Sequence, residues 1–540
     1  MKGTMKRVAL AVGVTLGGLS LAPTAGAVSV SANNLGQALI FPYYTVRGGW
    51  TTLFGVTNTS NQVVAVKVRF REAYNSRDVF DFNLILSPYD LWTAWVTDSP
   101  NGPVIRTEDS SCTVGNIVGT GATGVTFPAP VSYVGAFADG GPTTVDRMRE
   151  GYVEMIMMGA SPGTPSAVFP LAAGAIHGST TGTPPGCAAL VSAFQNPALL
   201  GSYGACPTGT SAVSGVSGTL RGEFCNYATS DTAATLPLQP LKGTYALVNG
   251  AKGFNAVGLP VALQNFRNTG AMTLQLDSVG AVAFNDSWHE PSLNSTTSPG
   301  YQFIPAPNAT DPAFLAGGGP GATAVGIALT HTNVINEWSR RSNPAAGWVT
   351  ATDWVLTFPT KNFFVDNDPG NRYAGRNAGR GNCSPNTIAG CSPFFATVFP
   401  DPFTQMFVDT TASTPVRRGS SCDAITLTLR DREERASAGL GFSPGASPQL
   451  CYEANVLTFN QGLILNSPIA ASVNFNDPFL YGWMDIGLTS ILNGTADVSN
   501  LGLPVVGFAI TSRDDSATSL LSEAALYDHS YVTAQPPQSR

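Results

Sequence analysis

The 540-residue chain carries 28 Lys and Arg against 35 Asp and Glu, with 58 Gly, 39 Pro and only 12% charged residues. An acidic chain with no basic stripe has nothing to grip phosphates with, which argues against nucleic acid as a partner. Its length suffices for two or three domains with cores of their own.

Residues 1–27 have the three parts of a cleavable secretory signal. Lys2, Lys6 and Arg7 form the basic start, and Val8 to Ala22 is uncharged and largely apolar. At about fifteen residues this run falls short of the roughly twenty needed to cross a bilayer as a helix. Pro23 breaks it, and Ala25-Gly26-Ala27 supplies the small residues of a cleavage site, with Val28 as the expected mature N-terminus. Export places the mature chain outside the cytoplasm, extracellular or on the outer cell surface. Taking three basic residues from 28 leaves 25 against 35 acidic, a net charge near −10. No later stretch reads as a membrane span, since runs such as Ala251 to Leu263 contain Gly, Pro, Asn and Lys.

Four segments then alternate with turn chemistry: Thr51 to Asn58, Val63 to Arg71, Asp78 to Leu86 and Leu91 to Thr97. They are rich in Val, Phe, Trp, Leu and Thr, as strands are. In the second, Val64, Val66, Val68 and Phe70 alternate with Ala65, Lys67, Arg69 and Arg71, which predicts one buried and one wet face. Trp92 and Trp95 have opposite parity, so one should enter the core and the other reach the surface. Further strands are expected at Gly151 to Met158, Thr219 to Tyr227, Gly243 to Asn249, Met272 to Ser278, Asp353 to Pro359, Ala424 to Arg430, Leu450 to Thr458 and Pro504 to Thr511. The tracts Gly159 to Pro185, Asn294 to Gly321 and Asn367 to Pro393 read as long Gly/Pro/Ser/Thr loops.

The expected fold is mainly β: antiparallel, immunoglobulin-like β-sandwich domains joined by such loops. The domains read as an N-terminal sandwich over 28–160 and a loop-rich β region over 161–316 that completes it. A C-terminal β domain over 322–515 and a tail over 516–540, opening with a short helix at Ser516 to Leu526, follow. Ala316-Gly317-Gly318-Gly319-Pro320-Gly321 is the linker.

Eight cysteines, Cys112, Cys187, Cys206, Cys225, Cys383, Cys391, Cys422 and Cys451, suggest disulfides in an exported chain. Spacing favours Cys383 with Cys391 and Cys422 with Cys451, leaving the other four to pair among themselves. No C-x-x-C spacing points to a metal. Asp366-Asn-Asp368-Pro-Gly370-Asn371 gathers oxygen ligands as a calcium loop does, but lacks the closing glutamate and holds Pro369. An ordinary turn explains it; calcium at Asp366 and Asp368 is the one cofactor the sequence would allow.

Two G-x-S-x-G matches, at Ser161 and Ser443, fail on mechanism. Pro162 and Pro444 have no N–H to donate to an oxyanion hole. His177, His289, His331 and His529 sit in no metal-binding spacing, although a triad can be assembled from distant positions. Asp431-Arg432-Glu433-Glu434-Arg435 reads as a solvated strand end.

Phe41-Pro42-Tyr43-Tyr44-Thr45, Thr52 to Thr59, Val66 to Glu72, Asp81 to Leu84, Arg149 to Glu154 and Trp354 to Lys361 resemble segments of an uncharacterised family of predicted exported or cell-surface proteins of Gram-negative bacteria. The resemblance is scattered over most of the mature chain and implies an envelope or extracellular location, but no reaction. The expectation is a secreted, non-enzymatic structural or adhesive protein, filament- or matrix-forming, whose partners are copies of itself or other surface proteins. The alternative is an extracellular hydrolase or carbohydrate-binding protein with a loop-built site.

Overall fold

The computed structural model describes residues 28–115, 117, 124–128, 141–162, 170–195, 224, 238–266, 292–293, 321–340, 348–362, 403, 408–409, 416–417, 421–437, 439–445, 447–488, 502–515 and 522–533. The first half contains β1 (Ser29–Val30), β2 (Ala38–Thr45), β3 (Thr51–Asn58), β4 (Gln62–Glu72), β5 (Asp78–Leu86), β6 (Leu91–Thr97), β7 (Val104–Arg106), β8 (Cys112–Gly115), β9 (Val125–Thr126) and β10 (Glu150–Pro162). Helices α1 (Pro170–Gly174) and α2 (Cys187–Gln195) follow, then β11 (Leu241–Asn249), β12 (Phe254–Gly258) and β13 (Val261–Gln264).

These strands form two sheets. Sheet 1 runs β1-β13-β2-β10-β4-β5-β8 and sheet 2 runs β12-β11-β3-β6-β7-β9. Period-two alternation sends Phe41, Phe70 and Phe82 of sheet 1 toward Phe54 and Trp92 of sheet 2. Their rings meet edge-on or tilted, with Phe41 at 5.5 Å and Phe70 at 5.6 Å from Phe54, and Phe82 at 5.7 Å from Trp92.

The second half opens with α3 (Gly321–Leu329) and β14 (Thr330–His331), β15 (Asn333–Ser339), β16 (Trp348–Thr357), β17 (Val408–Asp409), β18 (Val416–Arg417) and β19 (Asp423–Asp431). It continues with β20 (Leu440–Ser443), β21 (Gln449–Leu450), β22 (Ala454–Phe459), β23 (Ala471–Phe475), β24 (Tyr481–Leu488), β25 (Leu503–Pro504), β26 (Val506–Asp515), β27 (Glu523–Asp528) and β28 (Ser530–Val532). Sheet 3 runs β21-β19-β24-β15-β28 and sheet 4 runs β20-β23-β22-β16-β26-β27. Trp338 of sheet 3 stacks on Phe459 at 5.5 Å and meets Phe475 at 4.9 Å, both in sheet 4. Among the named strands only β22 and β23 pair in parallel. The fold is therefore mainly antiparallel β of the sandwich class, and each sandwich holds more strands than the seven to nine of an immunoglobulin domain.

The two sandwiches share a seam. Along β16, Trp354 and Leu356 enter the second core while Val355 joins the first, so one strand serves both. Val456, Phe508 and Ile510 also belong to the first core. Thr357 donates to the Pro42 carbonyl at 2.6 Å, and Trp50 donates its indole N–H to the Ile464 carbonyl at 3.1 Å. The strand run in Trp354 to Lys361 is thus continuous apolar sequence because both of its faces are covered.

Three expectations need correction. Lys67, Arg69 and Arg71 are fully buried, so the face predicted to be wet is not. Where a helix was expected over Ser516 to Leu526, Glu523–Asp528 is a strand, its register fixed by six pairs with β26; its Ala524 is buried with the first core, and strand alternation fits those residues better than a helical face. The expected loop at Gly159 to Pro185 begins as the last residues of β10, held by pairing with β4, and contains α1. Apart from Phe224, the expected strands Thr219 to Tyr227 and Met272 to Ser278, and residues 1–27, lie outside the described residues.

Candidate functional site

Among the described residues, the densest chemistry lies on the face of sheet 1 turned away from sheet 2. β4 projects Lys67, Arg69 and Arg71 there. Register brings Asn83 and Asp81 of β5 opposite Lys67 and Arg69, and β10 adds Glu154 from the other side. Lys67 Nζ lies 2.8 Å from Asp81, Arg69 Nε 2.9 Å from Asp78 and Arg71 Nε 2.6 Å from Glu154. At the strand ends Arg147 pairs with Glu72 and Arg47 with Glu150, each at 2.9 Å.

Glu72 also organises the turn from β4 to β5. Its carboxylate accepts the backbone N–H groups of Tyr74, Asn75 and Arg77 at 2.7, 3.0 and 2.9 Å. That turn reaches the second sandwich: Tyr152 donates to Ser76 Oγ at 2.7 Å and Ser76 donates to Glu453 at 3.0 Å. The Glu453 and Ala454 N–H groups both donate to the Ala73 carbonyl at 3.0 Å.

Burial governs the protonation of this region. It pushes the Asp78 carboxyl up to about 7, against the pull of Arg69. Asp353, in the seam, is also lifted to about 7 by burial, although its Oδ2 accepts the Ile464 and Leu465 N–H groups at 2.7 and 2.8 Å. Burial raises Glu150 as well, opposed by Arg47. For Arg71 burial works downward, but Glu154 and its neighbours outweigh it and hold the guanidinium charged. Such pairs return little net stability after desolvation. They do fix register, because a one-residue slip of β4 would exchange cations for valines on this face.

Lys361 forms a smaller buried cluster. Its ammonium donates to Asp423 at 2.9 Å and to the Ser421 carbonyl at 2.6 Å, between the rings of Phe358 and Phe403. The Cys422–Cys451 disulfide adjoins it, and Cys112–Cys187 ties β8 to α2. The first is the pairing expected from spacing, and the second falls within the expected set of four. Cys206, Cys225, Cys383 and Cys391, and the calcium candidates Asp366 and Asp368, lie outside the described residues. No group of three or more metal-binding side chains occurs among the described residues.

The histidines do not assemble a catalytic centre among the described residues. Ser87, Asp90 and His177 come together, with Ser87 Oγ 2.9 Å and Asp90 Oδ2 3.6 Å from His177 Nδ1. Both partners address one ring nitrogen, whereas a triad needs the acid on one nitrogen and the nucleophile on the other. Asp90 instead accepts from the Ser87 N–H at 2.9 Å and from Ser111 Oγ at 3.2 Å, closing the β5–β6 turn. His331 stacks on Tyr531 at 4.3 Å, and buried His529 contacts the Val355 carbonyl at 3.1 Å and the Asn336 amide at 3.0 Å. Burial lowers both to about 4, so they are neutral at pH 7. Ser161 is buried inside β10 and Ser443 ends β20; neither occupies a strand-to-helix turn. His289 lies outside the described residues.

The outward face of sheet 3 has a different character. β24 presents Tyr481, Trp483 and Asp485 at alternate positions, with Tyr481 37% and Trp483 36% exposed. Pairing places Glu337 and Arg430 on either side of Trp483, and Ile335 and Thr428 on either side of Asp485. The Arg430 guanidinium stands 5.8 Å from the Trp483 ring and that of Arg432 5.9 Å from the Tyr481 ring. Asn333 donates to Asp485 at 2.8 Å.

No family model, curated protein or solved structure matches the chain. The paired cysteines indicate an oxidising environment. No helix among the described residues is long and apolar enough to cross a membrane. Sequence reading missed the ion-pair ladder, although its signal was present: acids recur in Asp78 to Leu86 and Arg149 to Glu154 at positions matching the cations of Val66 to Glu72.

Proposed function

We propose that the chain is exported and works as a non-enzymatic structural or adhesive component of the cell surface or extracellular matrix, assembling with itself or with other surface proteins. The observation carrying this reading is the use made of the reactive side chains. The acids and cations on the outer face of sheet 1 are paired with one another inside the molecule, and the Glu72 turn and the Ser76–Glu453 contact join the two sandwiches there. Disulfides add durability suited to an environment without repair.

The test is fractionation and electron microscopy of the tagged protein in its native host, with N-terminal sequencing of the mature form. A chain starting at Val28 and found in surface lattices or fibres supports the proposal. Diffuse soluble protein that turns over polysaccharides or esters would overturn it. Within the adhesive reading, the exposed Trp483 and Tyr481 beside Asp485 favour carbohydrate as the bound ligand, which is developed next.

A further inference from the structure

We propose that the outward face of sheet 3 is a binding platform for a neutral polysaccharide, with Trp483 and Tyr481 as stacking surfaces and Asp485, Asn333, Glu337 and Arg430 as hydrogen-bonding groups. The inference rests on the adhesive reading above and supplies its ligand.

Sugar rings offer apolar C–H faces and a rim of hydroxyls, so a site for them needs flat aromatic surface beside paired donors and acceptors. Trp483 and Tyr481 are two positions apart on β24, about 7 Å along the strand, and share one face. Their spacing is fixed by the backbone of a central strand, flanked by β15 and β19. Rings mounted this way lose little freedom on binding.

The polar groups are held in place as well. Asn333 fixes the Asp485 carboxylate at 2.8 Å, and Arg430 Nη1 donates to the Glu434 carbonyl at 2.9 Å, which steadies its guanidinium over one face of the Trp483 ring. Thr426 and Thr428 add hydroxyls on the neighbouring strand. Gly487 continues the Asp485 row without a side chain, and a Cβ there would overlap the Thr426 hydroxyl.

Charge complementarity selects the ligand class. Arg430 and Arg432 are matched in number by Glu337 and Asp485, and Arg432 also pairs with the neighbouring Glu433, so the face carries no excess of positive charge to draw an acidic polymer or a phosphate. Interruption of the rings by these four charges also separates this face from the continuous apolar core of a protein interface. What remains is chemistry suited to uncharged, hydroxyl-rich chains.

The test is affinity electrophoresis of the disulfide-intact mature protein in gels containing laminarin, dextran, mannan or soluble xylan, with alginate as the acidic control and with cellulose and chitin pull-downs. Wild-type protein should be retarded by at least one of these, with affinity unchanged between 50 and 500 mM NaCl, which is about a tenfold span in ionic strength. Trp483→Ala should weaken binding at least tenfold, about 1.4 kcal/mol; Trp483→Phe should restore much of it. Asp485→Ala, on a half-exposed position, should also weaken binding at least tenfold and serves as the second variant if Trp483→Ala folds poorly. Trp95→Ala, on sheet 2, should bind as wild type. The proposal is overturned if no polysaccharide in the panel retards the protein, if binding survives both Trp483→Ala and Asp485→Ala, or if retention appears only with alginate at low salt. Surface retention of the protein without polysaccharide binding would sink this inference alone, whereas soluble protein with substrate turnover would sink the adhesive reading.

Discussion

The outer faces of sheet 1 and sheet 3 are both built on strands that alternate every second residue, yet one is sealed and the other lies in water. On sheet 1 each cation of β4 meets a carboxylate delivered by a different segment: Asp81 and Asp78 from β5, Glu154 from β10. Charges can be buried only with such partners. On sheet 3 the arginines lie against aromatic rings, and Asp485 is held by a neutral amide. Alternation therefore tells which residues share a face, and the supply of complementary charge from elsewhere decides whether that face can be covered.

The sharpest way to break this comparison is to remove one half of a buried pair. Arg71→Met removes the guanidinium that Glu154 pairs with in the interior and should cost about 3–5 kcal/mol in urea unfolding. Arg71→Met with Glu154→Leu should recover most of that loss, since the pair returns little beyond its own desolvation. The equivalent change on sheet 3, Arg430→Met, should stay within about 0.5 kcal/mol. Equal losses at Arg71 and Arg430 would show that burial does not separate the two faces.

The disulfides sit on the same two sheets and come next in size. Cys422–Cys451 closes a separation of 29 residues beside β19, and Cys112–Cys187 one of 75 residues at the edge of sheet 1. Replacing either pair with serines should cost roughly 3–4.7 kcal/mol on the chain-entropy account, the longer loop costing more by under about 1 kcal/mol. Differential scanning calorimetry of the two variants measures the order, and a larger loss for the shorter loop would contradict that account.

Much of the scaffold was legible because local signals agreed. Thr51–Asn58, Asp78–Leu86 and Leu91–Thr97 are strands with the bounds that turn chemistry and alternation suggest. Trp92 is 1% exposed while Trp95 is half-buried on the opposite face of the strand, as parity required. The seam was not legible, because nothing in Trp354 to Lys361 by itself says that Val355 and Trp354 enter different cores. The Tyr481–Leu488 strand was missed for a related reason: its aromatic positions, Tyr481 and Trp483, are the exposed ones, and Met484 and Ile486 form the buried row.

pH offers a subtler probe, because the buried acids and the buried histidines pull stability in opposite directions. Asp353 and Asp78 have folded pKa values near 7, raised from 3.8. Their contribution is full below pH 3.8 and is lost as pH rises through 7. His331 and His529 lie near 4, lowered from 6.5. Their contribution is full above pH 6.5 and is lost as pH falls through 4. Each proton carries a slope of at most about 1.4 kcal/mol per pH unit, so the two sets offset one another between pH 4 and 7. Asp353→Asn should unmask the histidines, giving a variant that loses stability relative to wild type as pH falls from 6.5 to 4. His529→Gln should do the reverse. Urea midpoints at unit pH intervals check both, and parallel profiles for the two variants would remove the assignment.

A small effect is also expected for the stability cost of Trp483→Ala. Trp92 and Trp483 are the same side chain on two sheets, one 1% and the other 36% exposed. Trp92→Ala opens a cavity among Phe82 and its neighbours and should cost about 3–5 kcal/mol. Trp483 gives up only its contact with Arg430 and part of its surface, so about 0.5–1 kcal/mol is expected. A loss for Trp483→Ala as large as for Trp92→Ala would mean that the sheet 3 face is covered in the protein as it exists. A binding platform there would then be untenable, because its stacking surface would already be occupied.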